Sequence, residues 1–237
     1  MMKRTALAGI VAMFMTIGST SLAAEGGWGY SGENGPEYWD TLDPAFEACA
    51  KGANQSPVNL QGGVDAELES IVFDYTGLVT VLRNTGQGVL ADYAAGSTIV
   101  LDGKLFELEH IEFHAPSEHW VEGEPLPLEA QFVHVDGDGR LAVIAVLYTL
   151  GEGHNGIEKL LQQLPAEAGQ KEGMASQVRA DKLLPENRGY YRLNGSLTAP
   201  PCSEGVLWLV MKDMPTVSEE QVERFTEKLG HPNNRPV

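Results

Sequence analysis

The stretch Glu109-His110-Ile111-Glu112-Phe113-His114-Ala115-Pro116-Ser117-Glu118-His119 is followed closely by Leu128-Glu129-Ala130-Gln131-Phe132-Val133-His134. Polar and apolar residues alternate in both, which is the period of a β-strand with two different faces. Neighbours on one face lie roughly 6–7 Å apart, and the first strand places on one face His110, Glu112 and His114. One face of the second strand carries Glu129, Gln131 and Val133. Histidine and acid on one strand beside a second polar strand are typical of a metal site built on a sheet.

The composition limits the class of protein. With 237 residues, 43% of them hydrophobic, the chain is long enough for one large domain with a substantial core. Its formal net charge of −17 disfavours binding to nucleic acid and to anionic lipid. Beyond the first residues there is no run of about 18 apolar residues. We therefore expect neither nucleic acid nor membrane as a partner.

The first residues have the pattern of a secretory signal peptide. Lys3 and Arg4 precede an apolar run over 6–17, and small residues follow, with cleavage expected after Ala23 or Ala24. We predict a signal peptide over 1–24, a mature domain over 25–237, and a periplasmic or secreted protein. Loss of Lys3 and Arg4 changes the formal charge from −17 to −19.

The chain has two cysteines, Cys49 and Cys202. In an exported protein an even pair favours a disulfide. The alternative is two free, buried thiols.

The mature part has the pattern of a β-rich domain. An irregular aromatic segment over 25–57 is followed by short strand patterns that Gly and Asn-Thr-Gly separate. We predict strands over 71–75, 78–83, 88–93, 97–101, 104–114, 128–136, 140–150, 190–194 and 206–212. Helical spacing occurs over 156–164, 175–184 and 218–229, the last with Ser218 as N-cap and Gly230 at its end. One β-rich domain with peripheral helices follows.

Five motifs, in order, identify a family. They are the segment Trp28 to Trp39, Asn54-Gln55-Ser56-Pro57, Phe113 to His119, Leu183-Leu184-Pro185, and Gly195 to Trp208. Over 28–236 the chain resembles the α-class carbonic anhydrases. The resemblance implies a mainly β fold: a central, twisted, mostly antiparallel ten-stranded sheet with short peripheral helices and a cone-shaped cleft. It also implies a disulfide between Cys49 and Cys202 and cis peptide bonds at Ser56-Pro57 and Pro200-Pro201.

In that family three histidines hold a catalytic zinc, and this chain departs from the pattern at two of them. His114 matches the second ligand, whereas Glu112 stands at the first and Gln131 at the third. Three neutral imidazoles let zinc-bound water ionise near neutral pH, and a carboxylate ligand opposes this. Gln87 stands where the family has its proton-shuttle histidine, and an amide carries no proton.

The remaining site residues match the family. Thr198 matches the hydroxyl that orients the attacking oxygen, and Glu118 matches the carboxylate that accepts its hydrogen bond. Glu129 matches the acid that supports the third ligand, and His110 takes the place of a Gln beside the first. The apolar wall on which carbon dioxide rests is matched by Val133, Val143, Leu197 and Trp208. His119 and His134 match structural histidines.

Three states of the metal position remain open. Zinc is the expected cofactor if a metal binds, and another divalent ion such as Mn²⁺ suits oxygen ligands better. Without a metal, the buried Glu112 carboxylate needs a partner. A contact with His110 or His114, with Gln131 donating an amide hydrogen bond to Glu112, would satisfy it. We favour this metal-free polar network.

We therefore expect an exported carbonic-anhydrase-like protein with little or no hydration of carbon dioxide, which binds a small ligand such as carbon dioxide, bicarbonate or another small anion. The alternative is a functional carbonic anhydrase with an unusual ligand set, and a weaker one is slow hydrolysis of activated esters. Family members continue past the Asn-Arg-Pro motif into a last strand. Here the sequence stops at Asn233-Asn234-Arg235-Pro236-Val237, so we expect that strand to be lacking and the protein to be less stable than a full-length relative; the alternative is a truncated gene model.

Overall fold

The computed structural model describes residues 27–237, so the expected signal peptide over 1–24 lies outside the described residues. In this part of the chain the strands are β1 Asn59–Leu60, β2 Val72–Asp74, β3 Val79–Asn84, β4 Val89–Tyr93, β5 Thr98–Leu101, β6 Lys104–His114, β7 Trp120–Val121, β8 Glu124–Pro125, β9 Leu128–Val135, β10 Leu141–Leu150, β11 Lys171–Gly173, β12 Tyr190–Ser196, β13 Glu204–Met211 and β14 Thr216–Val217.

One large mixed sheet contains most of these strands. Its main order is β11-β3-β4-β6-β9-β10-β13-β12, with β5 beside β6, β2 beside β5 and β14 beside β10. The pairs are antiparallel except β10 with β13 and β10 with β14. A small separate sheet joins β1, β7 and β8. The predicted mainly β, mostly antiparallel fold is confirmed, with eleven strands in the large sheet rather than ten.

The strands predicted over 104–114 and 128–136, now β6 and β9, are neighbours in the middle of the large sheet. In the β6–β9 register Glu112 lies opposite Gln131, and His114 lies opposite Glu129. The β9–β10 register places Val133 opposite Val143. Because side chains alternate between the two faces of a strand, these residues project from the same face.

The helices are short and peripheral. They are α1 Trp39–Leu42, α2 Ala48–Lys51, α3 Asn155–Leu161 and α4 Glu219–Leu229. The last begins with the predicted capping box of Ser218 and Gln221 and ends at Gly230, whose φ of 79° is left-handed. Within 27–237 no helix has the length and apolar character that a membrane crossing requires.

The helix predicted over 175–184 is wrong. Only Ala180–Lys182 forms a turn of 3-10 helix there. The preceding residues lie along β3 instead: the amide of Met174 donates to the carbonyl of Thr80, and the amide of Val79 donates to the carbonyl of Val178. Hydrogen bonds to the sheet edge therefore replace those that a helix would have used.

Each face of the large sheet carries a hydrophobic layer. The larger layer includes Ile111, Phe113, Phe132 and Ile144 and packs against Phe225 of α4. The smaller layer lies on the other face and is formed by Val133, Val143, Ala145, Leu147, Val206, Trp208 and Val210. This second face carries the site.

The expected covalent features are present. Cys49 and Cys202 form a disulfide, so the alternative of two free thiols is wrong. The peptide bonds Ser56-Pro57 and Pro200-Pro201 are cis, as predicted, and Ala115-Pro116 is a third cis bond that the sequence analysis missed.

Candidate functional site

A cavity of about 410 Å³ opens on the smaller hydrophobic face of the sheet. Its walls come from β4, β6, β9, β10 and β13, from the loop after β12, and from the aromatic segment near residue 28. Most of the predicted site residues line it, among them Gln87, His110, Glu112, His114, Gln131, Val133, Val143, Leu197, Thr198 and Trp208. We call this cavity the cleft.

On β6, the Glu112 carboxylate forms an ion pair with His110, which lies on the same face of the strand. Its Oε1 lies 3.0 Å from Nε2 of His110, and its Oε2 lies 3.9 Å from Nε2 of His114. Burial raises the pKa of the Glu112 carboxyl, but the imidazoles of His110 and His114 outweigh burial and hold that pKa well below its usual range. Of the two contacts that the sequence suggested for this carboxylate, the one with His110 is a hydrogen bond.

On β9, the Gln131 amide group donates both of its hydrogen bonds to Glu118 and Glu129, so the predicted bond to Glu112 is wrong. Its Nε2 donates to Oε2 of Glu118 at 2.8 Å and to Oε1 of Glu129 at 3.0 Å. Glu118 and Glu129 are completely buried. Because a carboxylate only accepts, the orientation of the Gln131 amide is fixed by its partners.

His114 has one satisfied nitrogen and one unpartnered nitrogen. Nδ1 donates to the backbone carbonyl of Asn233 at 2.7 Å, whereas Nε2 is buried and has no hydrogen-bond partner among the described residues. That nitrogen lies 3.6 Å from Oε2 of Glu118 and 3.9 Å from Oε2 of Glu112. Burial disfavours a charged imidazole, but the carboxylates of Glu118 and Glu112 outweigh it and raise the pKa of His114 to about 10. A positive charge therefore stands between two carboxylates.

Thr198 and Glu118 are not joined by a hydrogen bond in the part of the chain that the structure describes. The amide of Gln131 occupies Oε2 of Glu118, and the backbone amide of Arg235 donates to Oε1 at 3.1 Å. Thr198 is buried in the cleft wall. The structure brings both predicted residues to the site but gives Glu118 other donors.

Gln87 at the mouth of the cleft holds the aromatic segment. Its Nε2 donates to the backbone carbonyl of Trp28 at 2.5 Å. Tyr30 follows and stands edge-on to Trp28 and Trp39. Burial, with the charges of Glu118 and Glu112 added, raises the pKa of Tyr30 well above its usual value, so its hydroxyl stays protonated.

Two further histidines are structural, in agreement with their sequence interpretation. His119 Nδ1 lies 2.8 Å from Oε1 of Glu129, and its ring stands edge-on to Trp208. His134 Nδ1 faces the carbonyl of Ala142 at 3.2 Å and therefore carries the hydrogen. Its Nε2 then accepts from the hydroxyl of Tyr75 at 2.7 Å.

Three contributors to the site were not predicted from the sequence. Tyr30 reaches the cleft from the irregular segment, whose aromatic residues have no strand or helix period. Asn233 and Arg235 contact His114 and Glu118 through their backbone groups, more than one hundred residues away along the chain. The Asn-Arg-Pro motif was a signal for that segment, but no side-chain pattern identifies a backbone partner.

A cleft with the sheet as its floor, a polar base and an apolar wall has the form that is typical of small-molecule sites in proteins. The family model for eukaryotic-type carbonic anhydrase matches residues 34–236, and the chain belongs to this family.

Relatives and solved structures agree. A carbonic anhydrase of Pectobacterium atrosepticum is 39% identical over 210 residues, 89% of this chain and 86% of the relative. The α-carbonic anhydrase of Thermovibrio ammonificans in complex with the inhibitor sulfanilamide is 43% identical, with a TM-score of 0.87 over 89% of this chain and 94% of that one. Dioscorin complexed with ascorbate is 34% identical, with a TM-score of 0.81 over 89% and 92%.

The donor set at the family's metal position does not fit zinc. The family's zinc is held by three imidazoles, and only His114 supplies one here; the other two positions offer a carboxylate and an amide oxygen, which form a harder and weaker donor set. Gln131 donates its Nε2 to Glu118 and Glu129, which leaves only its amide oxygen, a poor ligand for zinc. The Glu112 carboxylate is paired with His110. Within 27–237 no group of three His, Cys, Asp or Glu side chains is arranged to hold a metal ion. The His114 nitrogen that would face the ion instead faces Glu112 and Glu118.

Proposed function

We propose that this member of the carbonic anhydrase family binds a small molecule in its cleft and hydrates carbon dioxide slowly or not at all. One observation carries the proposal: Glu112 and Gln131, at two of the three family ligand positions, are bound to neighbouring side chains. Glu112 is paired with His110, and Gln131 with Glu118 and Glu129. These two side chains therefore have partners without an ion, whereas Nε2 of His114 lies 3.9 Å from Glu112 Oε2 and 3.6 Å from Glu118 Oε2 and forms no hydrogen bond among the described residues.

The groups around the network also support slow hydration. In the family a threonine hydroxyl is held by a carboxylate, but here Glu118 accepts from Gln131 and from the backbone of Arg235. The shuttle position is Gln87, whose amide is bound to the Trp28 carbonyl. An amide neither takes up nor releases a proton in the neutral range. The shuttle position therefore has no side chain that can carry a proton, and Glu118 already accepts two hydrogen bonds from groups other than Thr198.

The shape of the cleft supports binding. An apolar wall of Val133, Val143, Leu197 and Trp208 faces a polar base that includes Thr198 and His114. A volume of about 410 Å³ suits a ligand of one small ring or less. The structural relatives in complex with sulfanilamide and with ascorbate support a ligand of this size. We propose bicarbonate or another small anion, which would receive hydrogen bonds from the Thr198 and Tyr30 hydroxyls.

Metal content and hydration rate, measured on the same purified full chain, test the proposal. We expect far less than one zinc per chain and a hydration rate near that of buffer, with the Pectobacterium atrosepticum relative as the positive control. Titration with bicarbonate and with ascorbate, followed by NMR, should shift signals of Val133 and Trp208. One zinc per chain together with rapid hydration would overturn the proposal.

A second candidate is a working carbonic anhydrase with an unusual ligand set. The 39% identity to relatives named carbonic anhydrase supports it. The same measurement separates the two candidates, because only this one requires a bound metal and rapid hydration.

We also propose that the protein is exported. The Cys49–Cys202 disulfide supports an oxidising compartment. Fractionation of producing cells, followed by N-terminal sequencing of the mature chain, tests this together with the cleavage after Ala23 or Ala24.

A further inference from the structure

His231 packs against the mouth of the cleft and takes no part in the polar network at its base. It follows α4, which ends at Leu229, and it precedes the buried Asn233. Its ring packs against the ring of Tyr30, with the centroids 6.3 Å apart and the planes tilted by 33°. Tyr30 lines the cleft, whereas His231 is not among the lining residues. His231 therefore supports a residue of the cleft wall from outside.

Both ring nitrogens of His231 face backbone carbonyl oxygens. Nε2 lies 2.9 Å from the oxygen of Gly86, and Nδ1 lies 2.8 Å from the oxygen of Pro232. A carbonyl oxygen only accepts, and a neutral imidazole has a single N–H, so the neutral ring can make one of these two bonds. The imidazolium has two N–H groups and can make both. The two contacts together therefore fit the protonated ring.

The other groups around the His231 ring keep one charge state in the neutral range. Among residues 27–237 no carboxylate lies within 4.0 Å of its ring nitrogens. The titratable side chain that packs against it is Tyr30, whose pKa burial raises well above its usual value, so that its hydroxyl stays neutral. An imidazole changes its charge between about pH 5 and 8. A pH-dependent change at this contact therefore comes from His231 itself.

The turn that carries Gly86 also holds the aromatic segment at the mouth. Within the turn the Thr85 hydroxyl accepts from the amides of Gln87 and Gly88, at 3.2 and 3.0 Å. The side chain of Gln87 donates to the carbonyl of Trp28. A turn closed by its own side-chain hydrogen bonds moves as a unit. Any shift of the Gly86 carbonyl is therefore passed on to Trp28.

We propose that His231 is a positioning residue for the mouth of the cleft, and that its imidazolium form holds Tyr30 and the turn over 84–88 in the arrangement that binds the ligand. When the proton leaves, the ring keeps only one of its two bonds, and the mouth loosens as the pH rises. This role rests on the proposed function, because the Tyr30 hydroxyl is there a donor to the ligand. A small anion therefore binds more weakly in mildly alkaline than in mildly acid solution.

An NMR titration of the ligand-free full chain between pH 5 and 8.5 tests the contact itself. We expect both ring nitrogens of His231 to carry hydrogen at the acid end, and the side-chain signals of Tyr30 and Trp28 to shift with the midpoint of His231. In His231→Gln these shifts should be absent. In Gln87→Ala the response of Trp28 should be lost and that of Tyr30 kept, because only the first passes through Gln87.

Three results of this titration would overturn the proposal. The first is a His231 ring whose protonation does not change over the range. The second is a set of Tyr30 and Trp28 signals that do not follow the His231 midpoint. The third is the same shifts in His231→Gln as in the wild type.

Nitrate measures the consequence for binding, since it is a small anion whose charge stays constant over this range. From pH 5.5 to 8 its dissociation constant should rise about threefold to tenfold more in the wild type than in His231→Gln. His154→Gln is the matched control, because His154 lies at the start of α3 and outside the cleft. It should keep the wild-type pH dependence.

An equal pH dependence in the wild type and His231→Gln contradicts the proposal. Nitrate that binds at neither pH counts against the proposed function instead, and the ligand-free titration then decides the role of His231.

Discussion

Gln131 donates its side-chain amide to Glu118 across 2.8 Å, from β9 to the loop that follows β6. The bond occupies one acceptor site on Oε2 of Glu118, and together with the bond to Glu129 it fixes the direction of the Gln131 nitrogen. A single hydrogen bond thus joins Gln131, at the family's third ligand position, to Glu118, which matches the carboxylate that accepts from the threonine hydroxyl.

Restoring the two histidines should restore the metal. The double variant Glu112→His, Gln131→His creates three imidazoles around one point, the donor set that zinc prefers. We expect about one zinc per chain and an increase in hydration on the order of 10³-fold over wild type. Metal analysis and stopped-flow hydration measure both.

Glu112→Gln is the control for that experiment, because it removes the Glu112 charge without adding a ligand. It should gain neither zinc nor activity. If the wild type already hydrates carbon dioxide rapidly and the double variant changes the rate only modestly, the metal-free interpretation fails.

Removing the Gln131 amide should destabilise the fold. Gln131→Leu deletes both hydrogen bonds to the buried Glu118 and Glu129, leaving one acceptor atom on each without that partner. We expect a loss of about 2–3 kcal/mol in the free energy of unfolding, measured by urea denaturation at neutral pH. Gln61→Leu, at an exposed position, should change it by less than about 0.5 kcal/mol. A Gln131→Leu variant as stable as wild type would show that the network contributes nothing to folding.

His134 should make the protein less stable in weak acid. Burial lowers the pKa of His134 to about 4 in the folded chain, against 6.5 for an ordinary histidine. The unfolded chain therefore binds the proton first. The neutral His134 ring therefore contributes to the free energy of unfolding, fully above pH 6.5. This contribution is lost as the pH falls toward 4, by about 3 kcal/mol in total.

Urea denaturation across pH 4.5–7 measures this dependence. In the double variant His134→Phe, Tyr75→Phe both hydrogen-bonding partners become apolar, and the slope over this range should flatten. An unchanged slope would assign the acid sensitivity to other groups, such as His154, whose pKa burial also lowers.

Loss of the disulfide should reduce stability strongly. Cys49 and Cys202 are 153 residues apart, and closing so long a loop contributes about 5 kcal/mol in the chain-entropy model. Cys49→Ala, Cys202→Ala should therefore unfold at much lower urea concentration than wild type. Wild type treated with a reducing agent should behave like the double variant. Equal midpoints for the oxidised and reduced wild type would contradict the prediction.

Much of the site could be predicted from local sequence. Strand alternation alone places Glu112 and His114 on one face, and the structure pairs that face with Gln131 and Glu129. The five motifs together indicated the fold, and the resemblance that they carry implied the disulfide between Cys49 and Cys202. These features follow from the two-residue period of a strand and from motifs that are contiguous in the chain.

The tertiary structure decided how those side chains are used. The sequence left Glu112 a choice between two histidines, and the β6 geometry gives its hydrogen bond to His110. The helix predicted over 175–184 is wrong for the same reason, since tertiary contacts overrode the local pattern. The segment has helical spacing, but its backbone bonds to β3 instead.

The sequence by itself therefore determined the family, the sheet face and the identity of the polar residues at the base of the cleft. Only the tertiary structure decided which of them are partners, and it brought the backbone of Asn233 and Arg235 to His114 and Glu118. The physical reason is that a hydrogen bond depends on a few tenths of an ångström and on direction. The identity of a residue specifies which donors and acceptors it carries. The packing of segments that are distant in the chain sets the distance between a donor and its acceptor.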